Sequence, residues 1–174
     1  SQKGPDELAE TTTDFITIGP TIKPKIGIDV GGVLNGCDND SPNVDPNWHL
    51  SKKSAAPQCE EALSAIIESF GRDNVYILSK CGGKMREKTD IWLWQTMRLQ
   101  DLGLKPENVK FCLRRSGKEG KGSIAKGLNL SFFVDDKDEC LRSVYYEGDS
   151  KHAVELNQGK YFHFAWGGNR KRPP

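Results

Sequence analysis

Lys25-Ile26-Gly27-Ile28-Asp29-Val30-Gly31-Gly32-Val33 carries the strongest fold signal in the chain. A short, largely β-branched run that ends at a glycine pair reads as a buried strand feeding a tight turn. Its single carboxylate, Asp29, falls at the carboxyl end. The same grammar recurs further along. Val75-Tyr76-Ile77-Leu78 is a second apolar strand, closed by Ser79-Lys80, and Val109 to Leu113 is a third. Ser131-Phe132-Phe133-Val134 is a fourth, closed by Asp135-Asp136, and Tyr161 to Trp166 a fifth. Helical patterns separate them. After Pro57, Cys59, Ala62, Leu63, Ile66, Ile67 and Phe70 recur at one-face spacing until Gly71. A second helix is predicted from about Lys84 to Leu102, burying Ile91, Leu93, Trp94, Met97 and Leu102, with Gly103 as its cap. Shorter helices are predicted over Ser123 to Leu128 and over 137–147. Nearly continuous apolar strands alternating with helices predict an α/β fold, with a mostly parallel sheet covered on both faces.

The 174 residues amount to about one domain at roughly 150 residues each. We divide them into an N-terminal arm or tag remnant (1–24), an α/β domain (25–168) and a basic tail (169–174). Hydrophobic residues at 36% and charged ones at 28% exclude both a membrane-embedded and a disordered class. Lys and Arg number 25 against 24 Asp and Glu, so no global field gathers nucleic acid or anionic lipid. An anionic ligand must be held by a local site. The five cysteines, at 37, 59, 81, 112 and 140, form no C-x-x-C pair and favour neither zinc nor a disulfide framework. Thiols within apolar stretches fit a reducing compartment. With no signal peptide and no membrane-spanning run, the expected location is the cytoplasm, or an organelle if a targeting segment has been removed.

Polar groups end three strands: Asp29, Ser79 and the pair Asp135-Asp136. In open parallel sheets the carboxyl ends of the strands form the ligand crevice, so residues this far apart in sequence can converge there. An isolated Asp at such a place is ordinarily a turn former or helix cap. The convergence is the signal.

These motifs, Asp29-Val30-Gly31-Gly32-Val33, Ser79, a lysine upstream of the fourth strand and Phe133-Val134-Asp135-Asp136, together resemble the haloacid dehalogenase-like superfamily, mostly phosphohydrolases. The resemblance spans about residues 25–166. It implies a Rossmann-like three-layer sandwich with a five-stranded sheet in the order 5-4-1-2-3. Asp29 would be the nucleophile that accepts the phosphoryl group. Asp136 would hold Mg²⁺, with Asp135 as a further ligand or supporting acceptor, while Asp29 and the backbone carbonyl of Gly31 complete the metal set. Ser79, Lys80 and Gly32 would bind the phosphate. Lys121 would pair with nucleophile and phosphate, with Lys118 as the alternate. The glycine-rich block Ser116 to Ser123 lacks the order of a phosphate-binding P-loop.

The sequence departs from that superfamily at Gly31, where the phosphatases carry a second Asp as general acid and base. Losing such help typically costs about 10²- to 10⁴-fold in rate. Three expectations follow. The chain is a phosphatase slow on ordinary monoesters, or one that borrows Asp38, Asp40 or His49 as its acid. Alternatively it performs carbon-phosphorus or carbon-halogen cleavage, although the 35–57 loop is too short for the large cap those relatives carry. Or it is a catalytically weakened module that binds or senses a phosphorylated ligand. The substrate would be a phosphorylated small molecule or a phosphorylated macromolecular end. Trp92 and Trp94 fall on different helix faces, which places at least one in the core, and Tyr161, Phe162, His163, Phe164 and Trp166 read as a packed last strand.

Overall fold

The computed structural model describes residues 23–36, 45–113, 120–146 and 160–163. The chain is α/β. Strands β1 (Ile26–Asp29), β2 (Val75–Lys80), β3 (Val109–Cys112) and β4 (Phe132–Asp135) form a parallel sheet in the order β3-β2-β1-β4. Segment β5 (Lys160–His163) runs in parallel register beside β4. Helices α1 (Cys59–Phe70), α2 (Gly83–Ile91), α3 (Lys121–Leu128) and α4 (Asp138–Tyr146) pack around them. Residues 1–22, 37–44, 114–119, 147–159 and 164–174 lie outside the described part. With them lie most of the predicted arm, the basic tail, Cys37, Asp38, Asp40, Lys118, and the end of the predicted fifth strand.

Strand alternation sorts the core into two clusters. Ile26, Ile28, Val30, Val75, Ile77 and Val109 join Leu63, Trp48, Trp92, Leu93, Leu99 and Leu104 in the larger one. Leu78, Phe133 and Leu141, with Tyr76, Ile124, Leu128, Leu130 and Val144 against them, form the smaller one. Gly27 belongs to the thinner side because a Cβ there would stand 2.6 Å from Leu130 Cδ1 and 2.7 Å from Phe133 Cδ2. Only a glycine lets those side chains lie on β1.

Helix α1 forms as its spacing predicts, with Glu60 and Glu61 complementing the positive end of the helix dipole. Gly71, at φ 84°, stops it. The predicted helix over Lys84 to Leu102 does not run through. α2 ends at Ile91, and Met97 N–H donates to Trp92 O at 2.8 Å, widening the next turn to π geometry. Arg98 then adopts a left-handed conformation (φ 56°) and Leu99–Leu102 tightens to a 3-10 turn. Trp92, Leu93, Met97, Leu99 and Leu104 are all buried in the larger cluster, and the chain bends to keep them there. Gly103 caps the 3-10 turn instead. Within the 35–57 loop the described residues, 35–36 and 45–57, form regular contacts. Gly36 N–H donates to Ser54 O and Ala56 N–H to Leu34 O, both at 2.8 Å, which clamps the base of the excursion. Inside it Trp48 and His49 are buried. Among the described residues no helix is long and apolar enough to cross a membrane.

Candidate functional site

Asp29 and Asp135 end neighbouring parallel strands, level with each other in the register that pairs Ile28 with Val134, and point to the same face. α3 packs on that face, and its first residue, Lys121, enters between them. The ammonium nitrogen lies 2.6 Å from Asp29 Oδ1 and 2.5 Å from Asp135 Oδ2. Lys121 is only 2% exposed and Asp135 fully buried, so this ion triad is shielded from water. The Phe133 ring lies beneath the ammonium at 5.8 Å. The second oxygen of Asp135 accepts the Lys137 backbone N–H at 2.8 Å, so both oxygens of Asp135 are engaged in holding the site together.

Asp136 is the next acidic group. Lys137 Nζ lies 3.4 Å from its Oδ2. Oxygens of Asp29, Asp135 and Asp136 all fall within 4.8 Å of one another, close enough to share one cation. Gly32 makes this approach possible. It has φ 80°, and a Cβ there would sit 2.5 Å from Asp136 Oδ2. The turn is further tied by Gly32 N–H donating to Asn35 O and Asn35 N–H to Val30 O, each at 2.8 Å.

The electrostatics follow from burial. Desolvation pushes the Asp29 carboxyl up from 3.8 to about 7, against the pull of Lys121 and with help from the negative Asp135. Burial alone would discharge Lys121, but the two carboxylates outweigh it and hold the ammonium charged. A hard divalent cation beside Asp29 would relieve the carboxylate crowding, and the all-oxygen donor set suits such an ion.

Ser79 is buried at the end of β2, one place beyond the partner of Asp29. Its Oγ lies 3.6 Å from Cys81 Sγ, and Cys112 Sγ–H donates to its carbonyl at 3.7 Å. Burial pushes the Cys112 thiol up to about 11, although Lys121 and Lys80 pull the other way. Lys80 is exposed at the strand end. Gly31 is half-buried, two residues beyond Asp29.

Of the sequence candidates, then, Asp29, Lys121, Asp135, Asp136 and Gly32 are brought together, with Ser79 on the adjoining strand end. Lys121 opens α3 rather than preceding it. His49 joins the apolar cluster instead: its ring meets Trp48 edge-on at 5.9 Å, Trp48 meets Trp92 at 6.0 Å, and its carbonyl accepts Thr96 Oγ1–H at 2.6 Å. Its position in a polar stretch gave no sign of that burial. Sequence reasoning missed Arg86, whose guanidinium stacks on Phe111 with 4.9 Å to the ring centroid. No periodicity links residues on α2 and β3. No protein-family model, curated protein or solved structure matches the chain. Its own residues carry the functional conclusion.

Proposed function

We propose that the chain is a haloacid dehalogenase-like phosphoryl-transfer hydrolase that uses Asp29 as nucleophile and Mg²⁺ as cofactor. The observation that carries this is the buried Lys121 ammonium bridging Asp29 and Asp135, with Asp136 near enough to share a cation with Asp29. The sheet order 5-4-1-2-3 belongs to the same reading and is supported by the register of Lys160–His163 beside β4.

Asp29 and Asp136 would hold the cation, since Asp135 is committed to Lys121 and the Lys137 amide. The cation supplies charge neutralisation that lets an anionic phosphate approach a carboxylate. Asp29 Oδ attacks phosphorus, the ester P–O bond breaks, and water then cleaves the aspartyl phosphate to regenerate the carboxylate. Lys121 orients the nucleophile and offsets charge on the transferring group. Ser79 Oγ is available to a phosphate oxygen. Gly31 has no proton to give, so the leaving oxygen departs as an anion or takes its proton from water. Esters with acidic leaving groups are therefore the favoured substrates. Gly31 also favours a second reading, a module that binds a phosphorylated ligand without turning it over.

A panel of phosphate esters of graded leaving-group acidity, assayed with Mg²⁺, separates the two. Turnover that rises with leaving-group acidity and vanishes in Asp29→Asn is the expected result. Phosphate binding without turnover of any ester would establish the binding module. Gly31→Asp should raise the rate on poor leaving groups by about 10²-fold, the typical worth of a positioned acid.

A further inference from the structure

A cleft of about 270 Å³ opens beside Ser79, between the ends of β2 and β3 and the first turns of α2 and α3. Its floor is formed by Cys81 and Cys112, the same thiols that touch Ser79. Ile124 forms one wall, a single helical turn beyond Lys121, and Leu113 forms another. At the mouth lies Arg86, stacked on Phe111. The cleft therefore adjoins the serine and the helix that define the phosphate side of the site.

Its chemistry is two-sided. Leu113, Ile124, Phe111 and two thiols offer an apolar lining. Among the described residues no carboxylate pairs with Arg86. A guanidinium over an aromatic face can still fork onto an anion through its N–H groups. The volume admits a single ring or a short chain.

Resting on the hydrolase reading above, we propose that this cleft holds the leaving group of the substrate: a compact apolar body bearing a carboxylate that docks on Arg86. The substrate class is thus a small carboxylated phosphate ester. In such an ester the phosphate sits at Asp29 and Ser79, the ring or chain lies over Cys81 and Cys112, and the carboxylate reaches the mouth.

The test compares phenyl phosphate with para-carboxyphenyl phosphate, whose leaving groups differ by the carboxylate. With Mg²⁺, the full chain should favour the carboxylated ester by about fivefold in kcat/KM, as befits a partly exposed charge pair. Arg86→Gln should cut that preference to the small remainder set by leaving-group acidity, and Arg86→Glu should transfer it to para-(aminomethyl)phenyl phosphate. Arg86 is exposed, so neither substitution threatens folding. Equal ratios in all three proteins, with turnover still dependent on Asp29, would overturn the cleft assignment alone. Absence of turnover, or turnover that persists in Asp29→Asn, would overturn the hydrolase reading and the leaving-group role together. Calorimetric binding of para-carboxyphenyl phosphate then decides whether the cleft is a ligand site at all: weakening in Arg86→Gln keeps it, and unchanged affinity removes it.

Discussion

The two faces of the sheet are built to different specifications. One buries a broad apolar cluster, from Ile26, Ile28 and Val30 across to Trp48, Trp92 and Leu99. Among the described residues the other buries a smaller cluster, built on Leu78, Phe133 and Leu141, and sets a lysine between two carboxylates where more hydrocarbon would have been stabilising. A buried ion group of this kind contributes little net stability, because desolvation offsets most of the attraction. The lesson is a division of labour. The thick face holds the fold, and the thin face spends that surplus on charged groups fixed at the strand ends.

Trp92→Ala is the strongest way to challenge that division. Removing a completely buried indole from the thick face should cost about 4 kcal/mol in denaturant unfolding, with or without Mg²⁺. Lys121→Met should cost about 3 kcal/mol because it leaves two carboxylates facing each other without a counter-charge. Here added Mg²⁺ should restore part of the loss, as it cannot for Trp92→Ala. Equal responses of the two variants to the cation would erase the contrast between the faces. Gly27→Ala, which drives a methyl group into Leu130 and Phe133, should cost about 2 kcal/mol and shift the thermal midpoint down.

The smallest effect is set by protons. Asp29, raised from 3.8 to about 7, must lose its proton before it can hold a cation. Apparent Mg²⁺ affinity should fall about tenfold for each pH unit below that value, about 1.4 kcal/mol, and level off above it. Calorimetry across this range checks the slope, and a flat profile would mean that Asp29 is not a ligand. Without cation the sign for stability is the reverse. The raised carboxyl favours the folded chain below pH 3.8, and that contribution is lost as pH rises through about 7.

Much of the site was legible because a nearly unbroken apolar strand leaves its polar end conspicuous. Asp29, Ser79 and Asp135-Asp136 each close such a run. Lys121 came only through the resemblance, since nothing local distinguishes it from Lys118 in a glycine-rich stretch. Three features stayed hidden for tertiary reasons. The bend after Ile91 comes from burying Trp92 and Leu93 together, which periodicity reads as more helix. Trp48 and His49 are surrounded by polar neighbours, so their burial depends on contacts made far along the chain. That the missing Cβ of Gly32 makes room for Asp136 depends on a contact made across more than a hundred residues of chain.

The paired hydrogen bonds joining Leu34 and Gly36 to Ser54 and Ala56 have a consequence for engineering and divergence alike. The neck closes the excursion on itself at its two ends, while Trp48 and His49 within it stay anchored in the core. Doubling a closed excursion adds only about 0.6 kcal/mol of closure entropy, so peptide insertions there should leave the scaffold standing. That neck is the natural grafting point for a new cover over the crevice.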